Sequence, residues 1–208
     1  MFRRRPVRRP PLFRRRPPRP PRPPGAPPPR RPLPSRGRQA LARANRLMAG
    51  GQFAEAARIF ERLSEGAKQR GMLVRAADLM IQAARAHLAA DNAGAAVKQA
   101  KQALLLFIHS GRIGRVPHFL ARMTEALRNK EHHAAANELE RAVEEGLGEI
   151  GLSLEELRQH IMAGRPKQQG ILPTQCTGCG APLVPDEVEW HDAHTAECPY
   201  CGTVVKAP

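Results

Sequence analysis

Residues 39–70 read QALARANRLMAGGQFAEAARIFERLSEGAKQR. Two runs rich in Ala, Leu, Arg and Glu, all good helix formers, flank the Gly50-Gly51 break. Ala44, Leu47, Ala56, Phe60 and Leu63 fall at helical spacing on the two sides of it, which predicts a helix pair. The pair recurs down the chain. GQFAEAA at 51–57 aligns with DNAGAAV at 91–97 and with EHHAAAN at 131–137, a period of 40 residues each time. Ala56, Ala96 and Ala136 are the shared small residue. Ala40, Met80 and Leu120 correspond in the preceding helices, as do Leu47, His87 and Leu127. Leu63, Ala103 and Val143 correspond in the second helices. A small residue lets paired helices approach closely, and apolar neighbours then bury the shared face. A fixed period of helix pairs is the mark of an α-solenoid.

Breakers divide this region into six expected helices, roughly 39–49, 53–70, 72–90, 93–109, 115–129 and 131–146. Ser153-Leu-Glu-Glu156 is a capping box, which starts a last short helix to about residue 163 and gives the array an end cover. The string Ala44-x-x-Leu47-x-x-Gly50-x5-Ala56-x3-Phe60-x-x-Leu63 resembles the tetratricopeptide repeat family. The second and third pairs keep the small Ala but replace Phe60 with Ala100 and Glu140, and the period exceeds the family's usual 34. An ordinary bundle of helical hairpins remains the alternative.

The resemblance implies a binding surface for a protein partner on the concave side, lined by the first helix of each pair. Asn45, Asp78, Arg85, His118 and Glu125 map there as candidate partner contacts. Some members of the family clamp a peptide carboxylate with Lys and Asn. Asn45 fits one such position, but Arg85 and Glu125 replace its equivalents, so that ligand is not carried over.

Outward from the repeats the composition changes on both sides. Of the formal charge of +15, residues 1–38 supply fourteen Arg with no acid, together with fourteen of the 21 prolines. Proline forbids helix and ladder bonding, and the arginines repel, so a disordered, polyproline-biased arm is expected. Its expected partner is a polyanion, either nucleic acid or an anionic membrane surface. A proline-reading groove or a simple spacer role are the alternatives. No apolar segment is long enough to span a bilayer, and the Arg-rich start lacks the apolar core of a secretion signal. A cytoplasmic setting is expected.

Residues 164–174 read as a linker, and residues 175–208 as a separate small module. Cys176, Cys179, Cys198 and Cys201 stand as C-x2-C-x18-C-x2-C. Two such turns bring four thiolates onto one ion, and the spacer suits a structural zinc. Val188 and Trp190 alternate with Glu187 and Glu189, His191–His194 supply a turn, and 195–197 and 203–205 complete a small sheet. Gly180 and Gly202 follow the second Cys of each pair, where positive φ is needed. The module resembles a zinc ribbon, so Zn2+ is the expected cofactor. Iron in a rubredoxin-like electron carrier, a redox dithiol and a catalytic zinc are the competing chemistries, and four Cys leave a catalytic ion no open position. The module is acidic, with Asp186, Glu187, Glu189, Asp192 and Glu197 and no Lys or Arg between 175 and 205. That disfavours phosphate binding by the ribbon itself and favours a protein partner. No catalytic motif is present. The expected architecture is mainly α: an arm, a tetratricopeptide-like solenoid of three helix pairs over 39–163, and a β zinc ribbon. The expected role is a non-enzymatic adaptor, with nucleic-acid binding as the alternative.

Overall fold

The computed structural model of the chain describes residues 35–164, 170–185 and 187–207. Residues 1–34 of the expected arm, 165–169 of the expected linker and Asp186 lie outside the described residues. Among the described residues, seven α-helices precede a small sheet: α1 Ser35–Ala49, α2 Phe53–Lys68, α3 Leu73–Ala89, α4 Ala93–His109, α5 Val116–Arg128, α6 His133–Gly148 and α7 Leu154–Gly164. The expected helices are present, with two shifts: the sixth was expected over 131–146 but runs His133–Gly148, because left-handed Glu131 closes the helix before it, and the first starts early. The arm was drawn to residue 38, yet α1 begins at Ser35. Residues 35–38 (SRGR) contain no proline, so nothing there blocks the backbone bonds of a first turn. Pro117 sits at the start of α5, where its missing N–H costs no helix bond. A 3-10 turn, Ile113–Arg115, leads into it.

The first six helices stop in the same way. The N–H of Gln52 bonds to the carbonyl of Leu47 at 2.9 Å, and Met72 to Ala67, Asn92 to His87, Arg112 to Phe107, His132 to Leu127 and Leu152 to Leu147 repeat that bond at 2.8–3.1 Å. In each case the residue before the donor has positive φ: Gly51, Gly71, Asp91, Gly111, Glu131 and Gly151, between 61° and 76°. These are Schellman ends, which satisfy the last carbonyls of a helix. They fall every 20 residues, because both helices of each pair have nearly the same length. The 40-residue repeat therefore has a 20-residue half-repeat in its stops.

Four of the six stops are glycine, but Asp91 and Glu131 carry a Cβ in a left-handed conformation. Asp91 is held by an ion pair with Lys130 at 2.9 Å; Glu131 is exposed. The left-handed conformation costs a Cβ-bearing residue about 1–2 kcal/mol, of which the extra chain freedom of glycine offsets about 0.5–1 kcal/mol. Glu131→Gly is therefore expected to stabilise the protein by about 0.5–1 kcal/mol. Its urea midpoint should rise at unchanged slope, whereas Gly111→Ala should lower it. A lower midpoint for Glu131→Gly would contradict this account of the helix ends.

Each of these helices packs on its neighbour in sequence, and α4 also packs on α6. Ala56, Ala96 and Ala136 are all fully buried, as their shared position requires. One apolar core runs from α3 to α7 through Met80, Leu104, Phe107, Leu120, Leu139 and Leu157. Leu157 belongs to α7, so the last helix covers part of that core. The capping box forms as expected. The Ser153 N–H donates to Glu156 Oε2 at 2.8 Å, and the Glu156 N–H donates to Ser153 Oγ at 3.2 Å.

The C-terminal sheet has three antiparallel strands, β1 Glu189–Trp190, β2 Thr195–Glu197 and β3 Val204–Lys206, in the order β1-β2-β3. Trp190 lies opposite Ala196, and Ala196 opposite Val205. In the turn between β1 and β2, Asp192 Oδ1 accepts the N–H groups of His194 and Thr195, each at 2.7 Å. Such a side-chain-built turn needs no glycine.

A second core joins the sheet module to the helices. Leu41, Phe60, Leu79 and Ala83 from α1, α2 and α3 share it with the four Cys, Leu183, Ala196, Tyr200 and Val205.

Candidate metal centre

Two matching turns present the four thiols. In the first, the Gly180 N–H donates to the Cys176 carbonyl at 2.8 Å, and in the second the Gly202 N–H donates to the Cys198 carbonyl at 3.0 Å. The Cys176 N–H then pairs with the Ala181 carbonyl, and the Cys198 N–H with that of Thr203. Gly180 and Gly202 have φ of 70° and 76°, the conformation expected of them. The turns also press together. A Cβ on Gly178 would lie 2.2 Å from Thr203 Oγ1 and 3.0 Å from Thr203 Cβ, so only glycine fits there.

All four Sγ atoms are buried and lie within 4.8 Å of one another. Cys176 and Cys201 are 3.6 Å apart, and Cys179 and Cys198 are 3.9 Å apart. A disulfide would need about 2.05 Å. Four sulfurs about 2.3 Å from one tetrahedral ion would lie about 3.8 Å from each other. The donor set therefore fits a single metal ion. The Gly178 N–H donates to Cys176 Sγ at 3.3 Å, the kind of outer contact that orients a ligand. Hydrogen bonding from Cys179 and then Cys198 brings Cys176 down to about 7. Cys198 is pushed the other way by hydrogen bonding with Cys176, Cys179 and Cys201. Four thiolates cannot all be charged at this separation without a cation between them. His191 and His194 are at the hairpin turn, and the clustered ligand atoms are the four sulfurs alone.

The metal turns are not a free appendage. They dock on the face made by α1, α3 and α5, the helices expected to line the concave side. Asn45 of α1 donates through Nδ2 to the Cys179 carbonyl at 2.8 Å. Tyr200, between the last two Cys, is buried against α3, where Gln82 Nε2 donates to its hydroxyl at 2.6 Å. That hydroxyl in turn donates to Glu187 Oε2 at 3.1 Å.

Glu187 is the centre of the contact. It was expected to alternate with Val188 in a strand, yet it stands in a turn before β1 and is 1% exposed. Arg85 spans both its oxygens through two guanidinium nitrogens, and Arg122 reaches Oε1 at 2.9 Å. His118 Nε2 is 3.8 Å from Oε1. Arg115 donates to the Glu187 main-chain carbonyl and pairs with Asp78 at 2.6 Å. The Arg115 guanidinium also lies over Phe107 and Phe119, whose stacked rings are 5.6 Å apart. Burial alone would push the Glu187 carboxyl up, but the Arg85 hydrogen bonds and the Arg85 and Arg122 charges outweigh it and hold the carboxyl below its ordinary value.

Of the five candidate partner contacts, the structure brings four to this face. Asn45 and Arg85 touch the ribbon directly, Asp78 acts through Arg115, and His118 stands beside Glu187. Glu125 is the exception and is exposed on α5. Sequence reasoning placed these residues on an open surface; the chain's own ribbon covers it. Glu187, Tyr200, Gln82, Arg115 and Arg122 were missed. The available signal was the ribbon's acidity facing a helical domain with arginines in its first helices. Charge alone could not single out which acid is buried. No family model, curated protein or solved structure matches the chain, and the reading of this centre rests on its own geometry.

Proposed function

We propose that the chain is a non-enzymatic interaction scaffold whose C-terminal ribbon is clasped by a structural zinc and seated in the groove of a tetratricopeptide-like helical array. The observation that carries this reading is the buried four-sulfur cluster, whose turns accept hydrogen bonds directly from α1 and α3. Four thiolates complete a tetrahedral shell and leave no position for a reacting water. The ion's work is then to hold the turns, and through them the ribbon, in place. The 20-residue stops and the buried Ala56, Ala96 and Ala136 support the solenoid reading. Thiols kept reduced for a metal suit a cytoplasmic setting.

The protein partner belongs on the part of the α3–α5 face that the ribbon leaves open. Ile81, Leu88, Phe119, Met123 and Ala126 floor a cleft of about 310 Å³ there, with Arg85, Arg122 and Lys130 at its rim. It suits an apolar side chain, since Arg85 and Arg122 are paired with Glu187 and Lys130 with Asp91. Elemental analysis of the purified full-length protein is expected to give one zinc per chain and a colourless solution. Stoichiometric iron with visible absorption would replace this reading with the electron-carrier one. Capture experiments should lose the partner when Ala126→Arg fills the cleft; an unchanged partner set would remove the cleft from the account.

A further inference from the structure

A second surface lies on α1 and α2, away from the ribbon. Arg36, Arg43 and Arg46 of α1 and Arg62 of α2 surround a groove of about 670 Å³, floored by Ala40, Ile59 and Leu63. All four arginines are exposed. Arg62 Nε reaches only the Arg58 carbonyl, and none of the four is paired with a carboxylate among the described residues. Helix α1 holds four Arg and no acid. Arg43 and Arg46, and Arg58 and Arg62, are like-charged neighbours one turn apart, an arrangement that costs an isolated helix a few tenths of a kcal/mol per pair.

The sequence around the groove offers it almost no carboxylate. The first acid in the sequence is Glu55; up to residue 62 there are eighteen Arg, no Lys and two acids. One of the two, Glu61, is already taken by His87 at 2.8 Å and Gln99 at 3.0 Å. The buried acid of the ribbon is committed to Arg85 and Arg122. A run of charge this long and this uniform is matched by a polymer of uniform opposite charge. Guanidinium groups pair with phosphate through two parallel hydrogen bonds, which lysine cannot do.

We infer that the α1–α2 groove is a nucleic-acid site in which Arg36, Arg43, Arg46 and Arg62 hold backbone phosphates. The site shares no residue with the metal centre or the protein-binding cleft. It contacts phosphate and not bases, so binding is insensitive to sequence and steep in salt.

The test is fluorescence anisotropy of the full-length protein with labelled duplex DNA and single-stranded RNA, read across a salt series. Replacing Arg43, Arg46 and Arg62 together by Gln is expected to weaken binding on the order of tenfold and to flatten the slope of log K against log salt by about 2–3. A charge-matched control, Lys98→Gln with Lys101→Gln and Arg141→Gln, should leave the slope unchanged. These triple variants keep the buried core, and their circular dichroism should match the parent. Four results would overturn the site: no binding by the parent, an unchanged slope in the arginine variant, an equal loss in the control, or stronger competition by polyglutamate or anionic vesicles than by nucleic acid.

Discussion

Chelating the metal is expected to unfold residues 175–205 and to destabilise α1–α3 with them. Binding of a structural zinc is worth roughly 10–16 kcal/mol in small modules. The ribbon has only three short strands, and a piece of that size cannot hold itself by apolar burial. Sequence alone suggests that the helices should not notice the loss. The shared core says otherwise, since Leu41, Leu79 and Ala83 lie in the same cluster as the four Cys and Tyr200. Amide signals of 175–205 should collapse on chelation, and α1–α3 should lose protection from hydrogen exchange. Helices α4–α7 supply most of the other core, which α3 shares, and should change less. Ribbon signals that stay dispersed after chelation would end the structural-metal account.

Glu187→Ala is the point substitution expected to do most damage. It leaves Arg85 and its neighbours facing a buried gap, and breaking a buried ion pair typically costs about 3–5 kcal/mol. Glu187→Gln keeps the shape and loses the charge, so its effect should be smaller. Arg122 is half in solvent, at 45% exposed, and Arg122→Ala should cost about 1 kcal/mol or less. Tyr200→Phe removes the hydroxyl that links Gln82 to Glu187 and strands a buried donor, at about 1–3 kcal/mol. The pH dependence has a definite sign. The folded-state pKa of Glu187 lies below its ordinary 4.5. Its contribution is therefore complete above that value and is lost as the pH falls through the lower folded one. Acid titration of the parent should show this loss and Glu187→Gln should not, both being compared at equal metal content. Chemical denaturation of the series gives the order Glu187→Ala, then Tyr200→Phe, then Arg122→Ala; any other order would move the centre of the contact away from Glu187.

The parts of the fold that are local were legible in the sequence. Gly51, Gly71 and Gly111 marked helix ends because a left-handed residue there is cheap only for glycine. Ser153 and Glu156 announced α7 because a capping box is a contact between neighbours. The four Cys announced their cluster because two tight turns of fixed spacing leave little choice of geometry. The docking was not legible in that way. Glu187 stands in a turn just before β1, and its burial depends on Arg85, 102 residues away, and on Arg122, 65 residues away. Tyr200 likewise stands between two metal ligands, and its partner Gln82 is 118 residues away. Long-range pairs of this kind have no local pattern. They are set by which face the ribbon meets after both parts have folded.

The account turns on the ribbon sitting on α1, α3 and α5 because the metal holds its turns in shape. Tyr200 and Gln82 report that seat most directly, with the phenol oxygen 2.6 Å from the amide nitrogen. In the metal-loaded full-length protein, nuclear Overhauser spectroscopy should show a strong cross-peak between the Tyr200 ring and the Gln82 side-chain amide, and chelation should abolish it. A folded, metal-loaded ribbon with no such cross-peak would contradict the docking, and with it the view that the zinc clasp serves the helical scaffold.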